Sequence, residues 1–184
     1  TLTALEDAYL SFRPKRRTRA SIAREKGLTP LAQTLWNQEA SISPIKAAAA
    51  YVSNDEGVED EGAALAGSRD IMAEWVSEES GARGAMRDLV IAEGVVRSKV
   101  VKGKEQRGAK FRDYFNWEEM VADVPSHRIL AMLRGEKEGF LSLHVSPPED
   151  RALAVLYRRF VVGKSQASEH VSEAVEDSYK RLLA

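Results

Sequence analysis

The three histidines are the residues of this sequence best suited to metal binding or acid–base chemistry. His127, His144 and His170 stand far apart and occur in no HxxxH or HxxEH arrangement. Such close spacings are what place two side chains on one metal ion. The chain contains no cysteine, so thiolate ligands and disulfides are excluded. The sequence therefore predicts neither a metal site nor a cofactor.

Two short stretches resemble catalytic or phosphate-binding motifs without meeting their requirements. Ser126 and His127 are neighbours, with Asp123 close by, but adjacent residues on a helix point about 100° apart, which separates a nucleophile from its base. Residues 103–110, GKEQRGAK, place Ala109 between the second glycine and the lysine. A P-loop needs Lys and then Ser or Thr directly after that glycine. We therefore predict no catalytic residues, and that the chain is not an enzyme.

Unevenly distributed charge is the main chemical feature that remains. Residues 12–28, FRPKRRTRASIAREKGL, carry seven bases and one acid, and residues 97–112, RSKVVKGKEQRGAKFR, carry seven bases and one acid. Between them, residues 54–62, NDEGVEDEG, carry five acids and no base. These acids lack the alternating ligands and final glutamate of a calcium loop, which favours a solvated linker.

Because the formal net charge of the whole chain is only −1, any binding to a polyanion would be regional. Arginine and lysine can hold phosphate oxygens without reading bases. The aromatic residues of RDYFNW (112–117) lie beside the second basic segment, but aromatics at helical spacing are more typical of a core than of base-stacking platforms. The predicted phosphate-contacting residues are Arg13, Lys15, Arg16, Arg17, Arg19, Lys102, Lys104, Lys110 and Arg112.

Start and stop signals predict that helices position most of these residues. Thr18 is a candidate N-cap for a short helix that Gly27 ends, and Thr29-Pro30 and Ser43-Pro44 are typical helix starts. Residues 63–78 place a row of apolar side chains on one helical face. A further helix is expected with Ser126 as its N-cap and with its apolar residues buried, which are Ile129, Leu130 and Leu133.

The remaining segments are predicted in the same way. A helix is expected from PPED (147–150) to about Gly163, and a last helix capped by Ser168. VVRSKVV (95–101) is rich in β-branched residues, yet we predict that it continues a helix because no partner strand is obvious nearby. FLSLHV (140–145) alternates apolar and polar residues and is predicted as a lone strand.

These patterns predict an all-α fold, a multi-helix orthogonal or irregular bundle with at most one short strand or hairpin. The expected segments are an N-terminal helical region (1–54) with the first basic segment, the acidic linker (55–62) and a central helical region (63–184). The 184 residues are 43% hydrophobic and 30% charged, and no apolar run reaches the ~20 residues of a membrane span. We therefore expect a cytoplasmic protein without a membrane partner.

Three stretches of the chain resemble one protein family. LEDAYLSFRPKRRTRASIAREKGLTPLA (5–32), GAALAGSRDIMAEWVSE (62–78) and residues 100–143, which include KFRDYF and PSHRILAMLRGE, are similar in order and motif to Tex, the bacterial transcription accessory proteins. Ser11 and Arg13 depart from the Pro and Lys usual in that family. The resemblance identifies the chain as a fragment of the N-terminal and central helical regions of a Tex-like protein, ending before an RNase H-like domain.

The resemblance implies a link to transcription and to nucleic acids. Tex-like proteins also carry an RNase H-like domain, helix-hairpin-helix elements and an OB-fold RNA-binding domain, and we see none of these in this sequence. One hypothesis is a helical module that contributes sequence-independent contacts to RNA or DNA. The alternative is a scaffold that frames the other Tex domains, or docks on RNA polymerase or another transcription protein, without touching nucleic acid.

Overall fold

A computed structural model describes residues 17–183 of the chain. The helices of this part, in chain order, are α1 (Arg19–Glu25), α2 (Thr29–Trp36), α3 (Pro44–Ala49), α4 (Glu61–Glu78), α5 (Ser80–Glu93), a 3-10 helix (Ala109–Tyr114), α6 (Ser126–Lys137), α7 (Glu149–Phe160), α8 (Gln166–Ser178) and a π-helical turn (Tyr179–Leu183). Three strands lie among them, β1 (Val95–Val100), β2 (Asn116–Met120) and β3 (Leu141–Ser146). None of the helices between residues 17 and 183 is both long enough and apolar enough to span a bilayer.

By contacts, the described residues divide into two compact units. The first comprises residues 17–84 and 153–183, and the second comprises residues 85–152. The boundaries fall inside α5 and α7, so each of these helices contributes to both units. The predicted segments (1–54, 55–62 and 63–184) are consecutive stretches of sequence, whereas the first unit combines two separate stretches. The segments therefore stay predictions.

Helix α4 is the centre of the first unit and contacts α1, α2, α3 and α8. Its inward face buries Leu65, Ile71, Met72 and Val76, as the helical spacing of its apolar residues predicts. Trp75 meets Trp36 edge to face, with the ring centroids 5.5 Å apart. These aromatic side chains therefore contribute to packing.

Capping residues set several helix ends in the first unit. The hydroxyl of Thr18 accepts a hydrogen bond from the backbone N–H of Ser21 at 3.0 Å, which confirms the predicted start of α1. Gly27 follows α1 with φ of +73°, a conformation that glycine adopts without strain. The last long helix is capped by Ser165, and Ser168 is the third residue of its first turn and completes the capping box. The prediction that Ser168 is the cap is therefore wrong by three residues.

The acidic stretch 54–62 contains a turn and a helix start. Ser53 and Val58 pair backbone to backbone across the turn, and Gly57 within it has φ of +69°. The side chain of Asp60 accepts a hydrogen bond from the N–H of Ala63 at 2.7 Å and caps α4. Negative charge at this position is favourable because the N-terminal end of a helix carries partial positive charge.

The second unit contains an antiparallel sheet with the strand order β2-β1-β3. Val96 pairs with Glu119 on one side and with Val145 on the other. The face that carries Val96 packs onto a core whose buried members include Phe111, Met132 and Leu141. The 3-10 helix and α6 supply two of these side chains, so both cover this face.

The expected all-α fold is therefore wrong, since the described chain combines many helices with a three-stranded sheet. VVRSKVV forms the central strand β1, where the β-branched residues fit a pleated surface. FLSLHV is confirmed as a strand, although it pairs with β1 and is not alone. The other partner, NWEEM in β2, has few β-formers and no apolar alternation, so sequence pattern alone does not reveal it.

The prediction that Ser126 caps α6 is wrong by one residue, because Pro125 stands at the N-cap and Ser126 is the first helical residue. The apolar residues of the helix are also distributed differently. Met132 is fully buried. Leu130 and Leu133 were predicted to be buried, yet their exposed fractions are 67% and 47%. That prediction is wrong because the helix presents a different face to the sheet, with Met132 and Gly135 inward.

Candidate nucleic-acid interface

The first basic segment is only partly within the described residues. Arg13, Lys15 and Arg16 lie outside them. Arg17 is exposed, and its guanidinium lies 3.0 Å from the carboxylate of Glu25. Both side chains of this pair are more than half exposed, so water screens the attraction and Arg17 can exchange its partner at little cost.

Two further bases of this segment are bound to protein groups. Arg24 forms an ion pair with Glu74 of α4, whose side chain is only 9% exposed. The ammonium of Lys26 donates to the backbone carbonyl of Gly57 at 2.6 Å. From the sequence alone these two charges look available to a ligand. In the structure both of them bind protein groups within the first unit.

Arg19 is exposed at the rim of a cavity of about 310 Å³ between α1 and α4. Asp70 lies at the same cavity. Burial raises the pKa of Asp70 above its usual value, while the charges of Arg181 and Arg19 oppose the rise. Arg19 thus faces both solvent and one carboxylate.

Two of the predicted residues in the second basic segment fix its position against the end of α6. The ammonium of Lys104 donates to the carbonyl of Gly139 at 2.8 Å. Lys110 pairs with Glu138 and lies 5.0 Å from the centre of the Phe111 ring. Hydrogen bonds from Lys110 and from Arg134 lower the pKa of Glu138. Lys104 and Lys110 are therefore brought together as anchors of the segment.

The other two predicted residues of this segment point to solvent. Lys102 and Arg112 are exposed, and neither forms an ion pair with a described residue. Lys99 and Arg107 share these properties, and neither is among the residues predicted from the sequence. An interpretation of VVRSKVV as a strand would have found Lys99, because alternate residues of a strand share a face. The two basic segments belong to different units.

The aromatic residues beside this segment support the fold. Phe111 is buried, and Tyr114, Phe115 and Trp117 pack against the core of the second unit. Tyr114 and Trp117 meet edge to face at 6.3 Å. Base stacking needs an open ring face, and these rings are engaged with one another and with the core.

The histidines remain separate in the structure. His127 and His144 are exposed, while Nδ1 of His170 lies 2.9 Å from the guanidinium of Arg69. Burial and the charge of Arg69 lower the pKa of His170. Within residues 17–183, no three histidine, aspartate or glutamate side chains are grouped as metal ligands would be.

Comparison with known proteins gives a consistent family. Residues 39–181 match the family model described as Tex central region-like. The chain is 50% identical to Protein YhgF of Escherichia coli over 144 residues, 78% of this chain and 18% of that protein. It is 44% identical to Protein tex of Bordetella pertussis over 150 residues, 82% of this chain and 19% of that protein.

A third relative is the Transcriptional accessory protein Tex of Neisseria gonorrhoeae, 42% identical over 168 residues, 87% of this chain and 22% of that protein. The chain thus spans about a fifth of the length of the curated relatives it matches. The matched residues 39–181 and these identities lead to one conclusion: the chain belongs to the Tex family, of which it contains the central region.

Proposed function

We propose that this Tex central region contributes sequence-independent contacts to the phosphate backbone of RNA or DNA. The observation that carries the proposal is the pair of exposed cations Lys102 and Arg112, which have no ion-pair partner among residues 17–183. The name of the Neisseria relative, a transcriptional accessory protein, is consistent with a ligand of this class.

The anchoring of the segment supports the proposal. Lys104 and Lys110 fix the segment to the end of α6 through Gly139 and Glu138. A cation on a fixed backbone loses less conformational freedom when it binds than one on a mobile segment. Contacts of this kind neutralise phosphates and release counterions without reading the base sequence.

The first unit would add weaker contacts. Arg19 is exposed, and Arg17 has only a screened surface partner. Because such surface pairs are worth little, a phosphate could replace Glu25 as the partner of Arg17. Arg24 is excluded from this role by its buried partner Glu74.

Fluorescence anisotropy with labelled single- and double-stranded RNA and DNA tests the proposal. The wild-type chain should bind at ~50 mM salt, and Lys102→Ala/Arg112→Ala should bind more weakly. A matched control is Arg158→Ala/Lys164→Ala, which removes two exposed cations of the first unit that form no ion pair with the described residues. Absence of binding by the wild type at ~50 mM salt contradicts the proposal for this chain.

A second candidate function is a scaffold for other domains or for a transcription partner. It is supported by the inward pairing of Arg24 with Glu74 and of Lys26 with Gly57, because bases committed to the fold are unavailable to phosphate. A chain that folds normally but binds none of the four probes would favour the scaffold. We assign no catalytic step to either candidate, and metal-dependent cleavage of the probes by the purified chain would contradict that assignment.

A further inference from the structure

The outer face of α6 carries two large apolar side chains that the second unit leaves uncovered. Leu130 is 67% exposed and Leu133 is 47% exposed. They are three residues apart and so lie on neighbouring positions of one helical face. Exposed apolar side chains grouped in this way mark interaction surfaces more often than isolated ones do.

A depression adjoins each of the two leucines. The first, of about 560 Å³, is lined by the 3-10 helix, with Phe111 and Tyr114, and by Leu130 and Arg134 of α6. The second is lined by Leu133, Arg134, Lys137 and Glu138. Together these features form a shallow surface in which an apolar side chain could be buried, and we call it the α6 groove.

Charge at the α6 groove is ordered along the helix. Leu130 is followed four residues later by Arg134, and Leu133 is followed four residues later by Lys137, so each leucine has a cation one turn further along. The side chain of Arg134 is 73% exposed although it shares Glu138 with Lys110. The groove therefore combines apolar side chains with Lys110, Arg134 and Lys137, whose three positive charges exceed the two negative charges of Asp113 and Glu138.

We propose that the α6 groove is a docking site for an amphipathic protein helix that carries acidic residues beside its apolar stripe. Leucines of such a helix would cover Leu130 and Leu133, while its carboxylates would meet Arg134 and Lys137. This is the helix-in-groove mode of recognition, in which apolar anchors at helical spacing give affinity and charge gives orientation.

Two other occupants fit the observations less well. A nucleic acid would gain little from Leu130 and Leu133, because aliphatic side chains offer no stacking surface for bases. A second copy of the chain in a two-fold contact would place the same patch on itself. That contact would oppose Arg134 and Lys137 to their own equivalents.

Two labelled peptides of about five helical turns test the proposal. They share one leucine stripe, flanked by glutamates in the first peptide and by lysines in the second. The first should bind at least about tenfold more tightly to the 184-residue chain. Leu130→Asp/Leu133→Asp should weaken its binding by at least about tenfold, whereas Ile45→Asp, at a side chain 65% exposed in α3, should not.

Several results would overturn the proposal. These are equal binding of the two peptides, unchanged binding by the leucine variant, self-association of the wild type that this variant abolishes, or an oligonucleotide whose binding depends on the two leucines. Leu130→Ser/Leu133→Ser, expected to behave like the aspartate variant, guards against misfolding. Lys102→Ala/Arg112→Ala should bind the acidic peptide normally, so the outcome is independent of the proposed contacts to nucleic acid.

Discussion

Two arginines of the same basic segment should differ sharply in their effect on stability. Arg24→Ala removes an ion-pair partner of Glu74, whose side chain is 9% exposed. Arg17→Ala removes the partner of Glu25, and both of those side chains lie mostly in water. Residue type and segment are matched; Arg24 also lies in the last turn of α1, where a cation contributes about 0.3–1 kcal/mol, less than the effect of burial that we expect.

The expected magnitude follows from the exposures. Removal of one partner of a fully buried ion pair costs about 3–5 kcal/mol. Arg24 is 35% exposed and the charge of Arg181 also acts on Glu74, so we expect a loss of about 2 kcal/mol for Arg24→Ala. For Arg17→Ala we expect less than about 0.5 kcal/mol, as is usual for exposed pairs.

Urea unfolding followed by tryptophan fluorescence measures both variants. Trp36 and Trp75 are in contact within the first unit, and a Trp117→Phe background removes the signal of the second unit. With a denaturant slope of about 2 kcal/mol/M, Arg24→Ala should lower the urea midpoint by about 1 M. Equal midpoints for Arg24→Ala and Arg17→Ala would refute the reasoning.

A glycine and a histidine provide two further predictions. A Cβ at Gly81 would clash with Nη2 of Arg159, so the guanidinium must shift away from its two hydrogen bonds to Glu79. A Cβ at Gly84 in the same helix meets nothing within 4 Å. Gly84→Ala should therefore raise the free energy of unfolding by about 0.5–1 kcal/mol, and Gly81→Ala should raise it by less, because the exposed Arg159–Glu79 pair is disturbed; equal thermal midpoints would contradict this. The lowered pKa of His170 means that the folded chain binds fewer protons than the unfolded chain near and below pH 6.5, so stability should fall as the pH drops below about 6.5. His170→Gln should flatten this dependence in urea titrations, His127→Gln at an exposed position should not, and equal slopes for the two variants would count against the assignment.

Local signals predicted the helical part of the fold well. Thr18 caps α1, Gly27 ends it with a positive φ, and Pro44 stands in the first turn of α3. Each of these signals depends on backbone geometry within a few residues. Helix α4 was also predicted, because its apolar residues recur at helical spacing.

The sheet was missed because its pairing is not local. β1 pairs with β2 on one side and with β3 on the other. β2 begins 16 residues after β1 ends, and β3 follows only after α6. β2 has the sequence NWEEM, whose acidic residues face solvent or pair with Arg97 and Arg128. Nothing in a single window of sequence reports that such a segment completes a sheet.

The candidate site was predicted in composition but not in detail. The sequence places seven bases in residues 97–112, yet it does not show that Lys104 and Lys110 are used by the end of α6 while Lys102 and Arg112 remain exposed. That division depends on the carbonyl of Gly139 and on Glu138, more than 25 residues further along the chain. The exposure of Leu130 and Leu133 likewise follows from the orientation of α6 against the sheet.

The salt dependence of oligonucleotide binding decides whether Lys102 and Arg112 contact phosphates. Each contact should contribute roughly 0.7–0.9 to the slope of log affinity against log salt concentration. The slope for Lys102→Ala/Arg112→Ala should therefore be shallower than the wild-type slope by about 1.4–1.8, and the slope for Arg158→Ala/Lys164→Ala should be unchanged. A slope for Lys102→Ala/Arg112→Ala equal to that of the wild type would contradict the proposed contacts.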